Sequence, residues 1–250
     1  MNWIEIMGPS GIGKSTLLNS LSKFRNNRND WVYLNEGLEI LAKNNLDSSI
    51  SDKILKYYLK QKVLNTKKNV LVKSILDGKR AYLENGKNYS ALVESYLKYH
   101  FYFPSSNALE KTYRISLFKT IIEQMCTFDF YNFRIPVLLD EGPLNHHPDL
   151  KQNDWEKKQI TPKGIIFCHL DIDENFDRVK RREKNGRLVP LHEGMEDYEL
   201  KESIKSNYDL YLEKRDLLIA EGIPYFDIDL KKVQNIQLLE VKRFIKNIMK

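Results

Sequence analysis

Five short apolar runs are set into a chain whose remaining residues follow a mostly helical rhythm. The first run is Trp3-Ile4-Glu5-Ile6-Met7, and the second is Trp31-Val32-Tyr33-Leu34-Asn35, ending at Glu36-Gly37. The third, Arg134-Ile135-Pro136-Val137-Leu138-Leu139-Asp140, carries its proline near the start, where a strand tolerates one, and closes in acid. Gly164-Ile165-Ile166-Phe167-Cys168-His169-Leu170 and Pro224-Tyr225-Phe226-Asp227-Ile228 complete the set. Short apolar runs of this kind suit strands buried on both faces of a parallel sheet. Leu17, Leu18 and Leu21 predict a helix after the first strand. From about residue 38 to 134 the rhythm stays helical; Leu109, Tyr113, Leu117, Ile121 and Gln124 fall on one helix face. Asp173 to Asn185 predicts a charged helix, Tyr198 to Ala220 another with Gly222 as its stop, and Val233 to Met249 an amphipathic terminal helix. Strands separated by helices imply a parallel sheet covered on both faces, with any ligand beyond the C-terminal strand ends.

Between the first strand and the first helix stands Met7-Gly8-Pro9-Ser10-Gly11-Ile12-Gly13-Lys14-Ser15-Thr16. Gly8, Gly13, Lys14 and Ser15 satisfy G-x-x-x-x-G-K-[ST], and the strand before and helix after supply the context that this motif requires. Glycines let the backbone curl so that its N–H groups face an anion, and the helix N-terminus adds partial positive charge. ATP is the expected ligand of Gly8 through Thr16. Lys14 is expected to neutralise its β- and γ-phosphates, and Ser15 to offer a hydroxyl to Mg²⁺. The predicted fold class is α/β: a P-loop NTPase three-layer sandwich with a five-stranded parallel sheet. Helices lie on both faces, and a helical insertion (about 38–134) separates strands two and three. One domain is expected over residues 1–250.

Composition narrows the class further. The 42% hydrophobic content is that of a globular chain with a real core. The sequence holds no apolar run of about 18 residues, so no transmembrane helix is expected. No signal peptide is expected either, because the N-terminus already reads as strand and loop. Cys126 and Cys168 sit in apolar contexts as reduced core thiols, which predicts a cytoplasmic protein. The net charge of +6 favours an anionic partner. The positive charges are scattered, so nucleic acid is the lesser reading beside ATP and a small phosphoryl acceptor. A homodimer stays open.

The remaining candidates lie at predicted strand ends. Asp140 closes the third strand, where an acid can hold Mg²⁺ opposite the loop hydroxyl of Ser15. Glu141 follows it, where a carboxylate can position water. Glu36, at the end of the second strand, can accept a proton from a substrate hydroxyl. After the fourth strand, Arg178 and Arg182 stand four apart on one helix face, and Arg187 follows Gly186 in a loop. Arginines so placed can close over a transferring phosphoryl group and spread its charge.

With these motifs the chain resembles the P-loop kinases of the nucleoside and nucleotide kinase group, relatives of thymidylate kinase and the deoxynucleoside kinases. The resemblance runs over the loop Gly8 to Ser15, Glu36, Asp140-Glu141 and the R-x-x-x-R of Arg178 and Arg182. It implies Glu36 as general base, with Lys14, Arg178 and Arg182 as the catalytic charges. It also implies a lid over about 174–195 whose Arg178, Arg182 and Arg187 clamp ATP phosphates. Strand two ends in Asn35-Glu36-Gly37-Leu38-Glu39 rather than the group's E-P. Glu141 stands where the group carries an arginine. The insertion is expected to build the acceptor pocket. There Tyr96-Leu97-Lys98-Tyr99-His100-Phe101-Tyr102-Phe103-Pro104 could stack a base, although core packing is the more ordinary use of such rings. His146-His147 could approach that rim, but two adjacent histidines do not make a metal site.

A nucleoside or nucleotide is thus the leading acceptor. The alternatives are a P-loop ATPase of switch or motor type, or a polynucleotide or sugar kinase. A GTPase is disfavoured: N-K-x-D is absent, and Pro143 occupies the glycine position of D-x-x-G. The transporter signature L-S-G-G-Q is absent too.

Overall fold

Trp3–Met7 forms β1, and every side chain in it is buried, which is why its sequence runs apolar rather than alternating. The computed structural model describes residues 1–25, 27, 30–46, 53, 55, 57, 59, 65–102, 108–147, 150, 161–186, 192, 194–231 and 235–249. Four further strands join the first: β2 (Val32–Tyr33), β3 (Val137–Asp140), β4 (Gly164–His169) and β5 (Tyr225–Asp229). They form one sheet in the order β2-β3-β1-β4-β5. In parallel register Ile4 lies opposite Gly164, Val32 opposite Val137, and Ile165 opposite Tyr225. The predicted five-stranded parallel α/β sheet is therefore present, with the phosphate-loop motif leaving its middle strand.

The predicted insertion between β2 and β3 is helical. It comprises Leu34–Asn44, Asn65–Ile75, Gly78–Asn85, a 3₁₀ turn at Gly86–Tyr89, Ser90–Tyr102 and Ala108–Phe130. The helices expected after β4 and β5 appear at Ile172–Lys184, Asp197–Ala220 and Asn235–Ile248.

One boundary needs correction. The second strand does not run to Asn35 and end at Glu36; it stops at Tyr33, and Leu34 opens a helix. Glu36 is the third residue of that helix, and its carboxylate accepts the Tyr33 N–H at 3.2 Å. This is the reciprocal half of a capping box, and it fixes the helix start two residues before the acid. Helical spacing of Leu34, Leu38 and Leu41 draws Leu34 and Asn35 into the helix and leaves Val32 and Tyr33 as strand. The third strand likewise begins at Val137 rather than Arg134.

Two compact units make up the chain. One comprises Met1–Trp3, Asn27–Leu139 and His146–Thr161, the other Ile4–Asn26, Asp140–Asn145 and Pro162–Lys250. The first unit is held by a core of Val32, Leu92, Tyr96, Phe118, Met125 and Phe128 with their neighbours. Each such side chain contributes about 1.5–3 kcal/mol through burial. Tyr96 lies flat on Phe118, with ring centroids 3.8 Å apart. Asp129 accepts the Tyr89 hydroxyl at 2.5 Å and pairs with the Met1 amino group. In the second unit, Ile172, Phe176 and Val179 of one helix pack on Leu200 and Ile204 of the next. The Lys14–Phe24 and Asn235–Ile248 helices also pack together. Cys126 and Cys168 are both free and buried, as expected of core thiols. Among the described residues no helix is long and apolar enough to cross a membrane.

Candidate functional site

The phosphate-loop motif lies wholly within the second unit. Its glycines are demanded by the backbone. Gly8 has φ +153°, and a Cβ there would lie 2.6 Å from Ile12 Cδ1 and 2.9 Å from the Cys168 carbonyl oxygen. Gly13 has φ +110° and stands at the N-cap of the Lys14–Phe24 helix, whose first turn contains no acid. The helix's own first turn therefore adds no negative charge to its partly positive end.

Lys14 is only 5% exposed. Its ammonium donates to the Gly8 and Pro9 carbonyls at 2.8 and 3.0 Å and pairs with Glu141 at 3.1 Å. The loop thus surrounds its own cation with backbone and carboxylate oxygens. Glu141 adopts φ +63°, a left-handed conformation costly for a residue with a Cβ.

Ser15 and Asp140 meet as the sequence predicts. The Ser15 hydroxyl donates to Asp140 Oδ2 at 2.9 Å. Asp140 Oδ1 is buried and has no hydrogen-bond partner among the described residues. Burial pushes the Asp140 carboxyl above its usual range and Glu141 adds to the shift; the Lys14 cation and the Ser15 hydroxyl oppose them. A buried acceptor left unpaired beside a hydroxyl is a donor set that suits a hard divalent cation such as Mg²⁺. Among the described residues no group of three or more His, Cys, Asp or Glu gathers to hold a metal. Magnesium completed by water and phosphate oxygens needs no such cage.

Next to the loop opens a cleft of about 540 Å³, lined by Gly11, Gly13, Thr16, Leu17, Arg178 and Arg182 among others. Asp171 caps the helix that carries these arginines by accepting the Asp173 and Glu174 N–H groups. Arg178 is tied into the protein itself: it donates to the Ile12 carbonyl at 2.6 Å, to Glu174 at 2.8 Å and to the Leu230 carbonyl at 3.1 Å. It braces the phosphate loop against the turn after β5. Arg182 lines the same cleft without an ion pair or side-chain hydrogen bond among the described residues. Arg187 lies outside the described residues.

The acceptor-side candidates belong to the first unit. Glu36 there is the half-buried capping acid already described. Tyr96 is 1% exposed, and burial raises its hydroxyl pKa; His147 is fully buried, with a ring nitrogen 3.1 Å from the Ser95 hydroxyl. Tyr96 and His147 are thus packed in the interior. Phe103 and Pro104 fall outside the described residues.

Sequence reasoning missed four residues that shape the loop. Asn175, 2% exposed, donates to the Ser10 carbonyl at 3.4 Å. Asn145 Oδ1 accepts the Gly8 N–H at 3.5 Å. Glu5 accepts the Leu144 and Asn145 N–H groups, and Lys214 donates to the carbonyls of the same two residues. Glu5 had a visible signal, a charge in the middle of an apolar strand; Lys214 sits in an ordinary charged helix and had none.

No family model matches this sequence, and no curated protein sequence matches it. Among solved structures it is similar to a shikimate kinase from Bacteroides thetaiotaomicron. The two share 14% identity and a TM-score of 0.42, over 99% of this chain and 98% of that one.

Proposed function

We propose that this chain is an ATP-dependent phosphotransferase that moves the γ-phosphoryl of ATP to a small-molecule acceptor, with a nucleoside or nucleotide as the leading class. One observation carries the reading: the Ser15 hydroxyl and the buried, half-satisfied Asp140 carboxylate stand together beside a glycine loop closed by Lys14. That combination binds a nucleoside triphosphate and its cation. Bound Mg²⁺, held by Ser15 and Asp140, would supply charge neutralisation across the β- and γ-phosphates.

The chain's own groups do the rest. Backbone N–H groups of Gly8 to Lys14 cradle phosphate. Lys14 exchanges the Gly8 and Pro9 carbonyls and the Glu141 carboxylate for phosphate oxygens. Arg182 lies along the cleft where it can meet the transferring group, while Arg178 holds the loop in shape. Glu36 is the proposed proton acceptor for the acceptor hydroxyl, by its resemblance to the position that bears the base in nucleoside kinases.

A second reading, an ATPase, is favoured by Glu141. It directly follows Asp140 and lies 3.1 Å from Lys14, where a carboxylate can orient water. One experiment separates the two. Protein, Mg²⁺ and γ-labelled ATP are incubated with pooled nucleosides, nucleotides, sugars and short oligonucleotides. Label on one pool establishes the transferase and its acceptor class. Label released only as inorganic phosphate, whatever the pool, replaces it with the ATPase.

A further inference from the structure

Two buried residues of opposite charge grip the short segment that follows Asp140. Glu5 is fully buried in the middle of β1, and Lys214 is 3% exposed on the Asp197–Ala220 helix. Their targets are the same two residues. The Glu5 carboxylate accepts the Asn145 N–H at 2.5 Å and the Leu144 N–H at 3.3 Å. The Lys214 ammonium donates to the Asn145 carbonyl at 2.9 Å and the Leu144 carbonyl at 3.4 Å. It also stands 5.2 Å from the centre of the Tyr211 ring. The two residues are thus held at their N–H groups by a carboxylate and at their carbonyls by an ammonium. Gly142 closes the arrangement: a Cβ there would lie 2.6 Å from Glu5 Cδ, so only glycine admits the carboxylate.

Burying two charges is expensive, and an apolar pair of similar size would often be neutral or stabilising. The site between them explains the arrangement better than stability does. The gripped segment begins at Asp140, includes Glu141 in its left-handed conformation, and ends at Asn145, whose side chain accepts the Gly8 N–H. A backbone strained in this way persists only where its surroundings over-determine it. We infer that Glu5 and Lys214 are positioning residues: together they set the Asp140–Asn145 segment against the phosphate loop and so fix the geometry in which a metal–nucleotide is held. The inference rests on the proposed nucleotide reading and adds to it the supporting shell for Asp140.

Glu5→Gln, Lys214→Met and Gly142→Ala test it. Gly142→Ala leaves both charges in place and instead pushes the carboxylate aside. Two readouts are taken on folded protein: backbone amide resonances of Gly8 and residue 142 without ligand, and ATP affinity with and without Mg²⁺. Expected are shifted amide resonances and a loss of at least about tenfold in the Mg²⁺-dependent part of the affinity, the size typical of lost outer-shell support. Affinity without Mg²⁺ should stay within about twofold, since phosphate cradling by the loop is a separate contact. A variant with wild-type resonances, or one that merely melts earlier with wild-type Mg²⁺ dependence, overturns the inference. If a charge variant fails to fold, the Gly142→Ala result decides alone. A wild-type protein without any Mg²⁺-dependent ATP affinity would sink the nucleotide reading. In that case the ligand-free resonances still judge the grip of Glu5 and Lys214.

Discussion

The phosphate loop and the helical insertion are built on opposite plans. Around the loop, Asp140 Oδ1 is buried without a hydrogen-bond partner among the described residues, and Lys14 rests on the carbonyls of its own backbone. The unit that holds the insertion pairs several of its polar groups internally. Tyr89 donates to Asp129, His147 meets Ser95, and Tyr96 lies flat against Phe118. Lys14→Ala attacks the first plan directly. It should lower kcat/KM by about 10³-fold or more, near 4 kcal/mol of lost transition-state stabilisation. Steady-state kinetics on γ-labelled ATP checks it, and turnover within tenfold of wild type would show that the loop does not serve phosphoryl transfer.

Asp140→Asn separates function from stability at the same place. Burial raises the Asp140 carboxyl above its usual range. Between the ordinary carboxylate value and that raised one, the folded chain binds more protons than the unfolded one. The contribution of this group to stability is therefore complete at low pH and declines as pH rises through the raised value. Removing the charge should raise the melting temperature at neutral pH while Mg²⁺-dependent turnover falls by about 10²–10³-fold. Melting curves from pH 4 to 8 check the sign, since the wild type should lose ground to the variant as pH rises. The insertion answers in reverse. Phe118→Ala should cost about 3–5 kcal/mol of stability, as loss of a buried aromatic does. ATP affinity of the folded protein should be unchanged, and a matching loss of affinity would erase the contrast between the two regions.

The same contrast explains what could be read from the sequence. The loop was legible because its requirements are local: glycines at fixed offsets, one lysine, one hydroxyl, a strand before and a helix after. The place of Asp140 was legible because the third apolar run ends in that acid. The sheet followed from five apolar runs. The start of the helix at Leu34 was not read, because Trp31-Val32-Tyr33 looks like a longer strand until the Glu36 capping contact is seen. The tethering of Arg178 was hidden as well, since its partners Ile12 and Leu230 are 166 and 52 residues away. Spacing on a helix places a guanidinium on a face but does not tell which oxygen it takes.

Glu36, in the first unit, is the proposed base. If it is the base, Glu36→Gln should lower kcat by about 10²-fold with ATP affinity intact. Glu141→Gln should then leave transfer to the acceptor largely in place and change only ATP hydrolysis. The reverse ranking would move the chemistry to the carboxylate beside Lys14. Circular dichroism of Glu36→Gln guards the result, because the residue also caps the Leu34–Asn44 helix, and losing a cap costs about 1 kcal/mol.

The smallest effect is the most discriminating. Arg178 and Arg182 stand four apart on one helix and line one cleft, yet Arg178 has three protein oxygens to itself and Arg182 none among the described residues. Arg178→Ala leaves the Ile12 and Leu230 carbonyls without their donor. It should cost about 1–3 kcal/mol of stability, the usual range for hydrogen bonds to a charged group. It should also weaken nucleotide binding by loosening the loop. Arg182→Ala should leave stability within about 0.5 kcal/mol, as for a surface change, and show its loss in kcat. If both variants lose stability alike, Arg182 is another brace, and the cleft contains no arginine held ready for phosphate. If neither loses stability while both lose kcat, the bonds of Arg178 to the loop exchange on nucleotide binding, and both arginines act on the ligand.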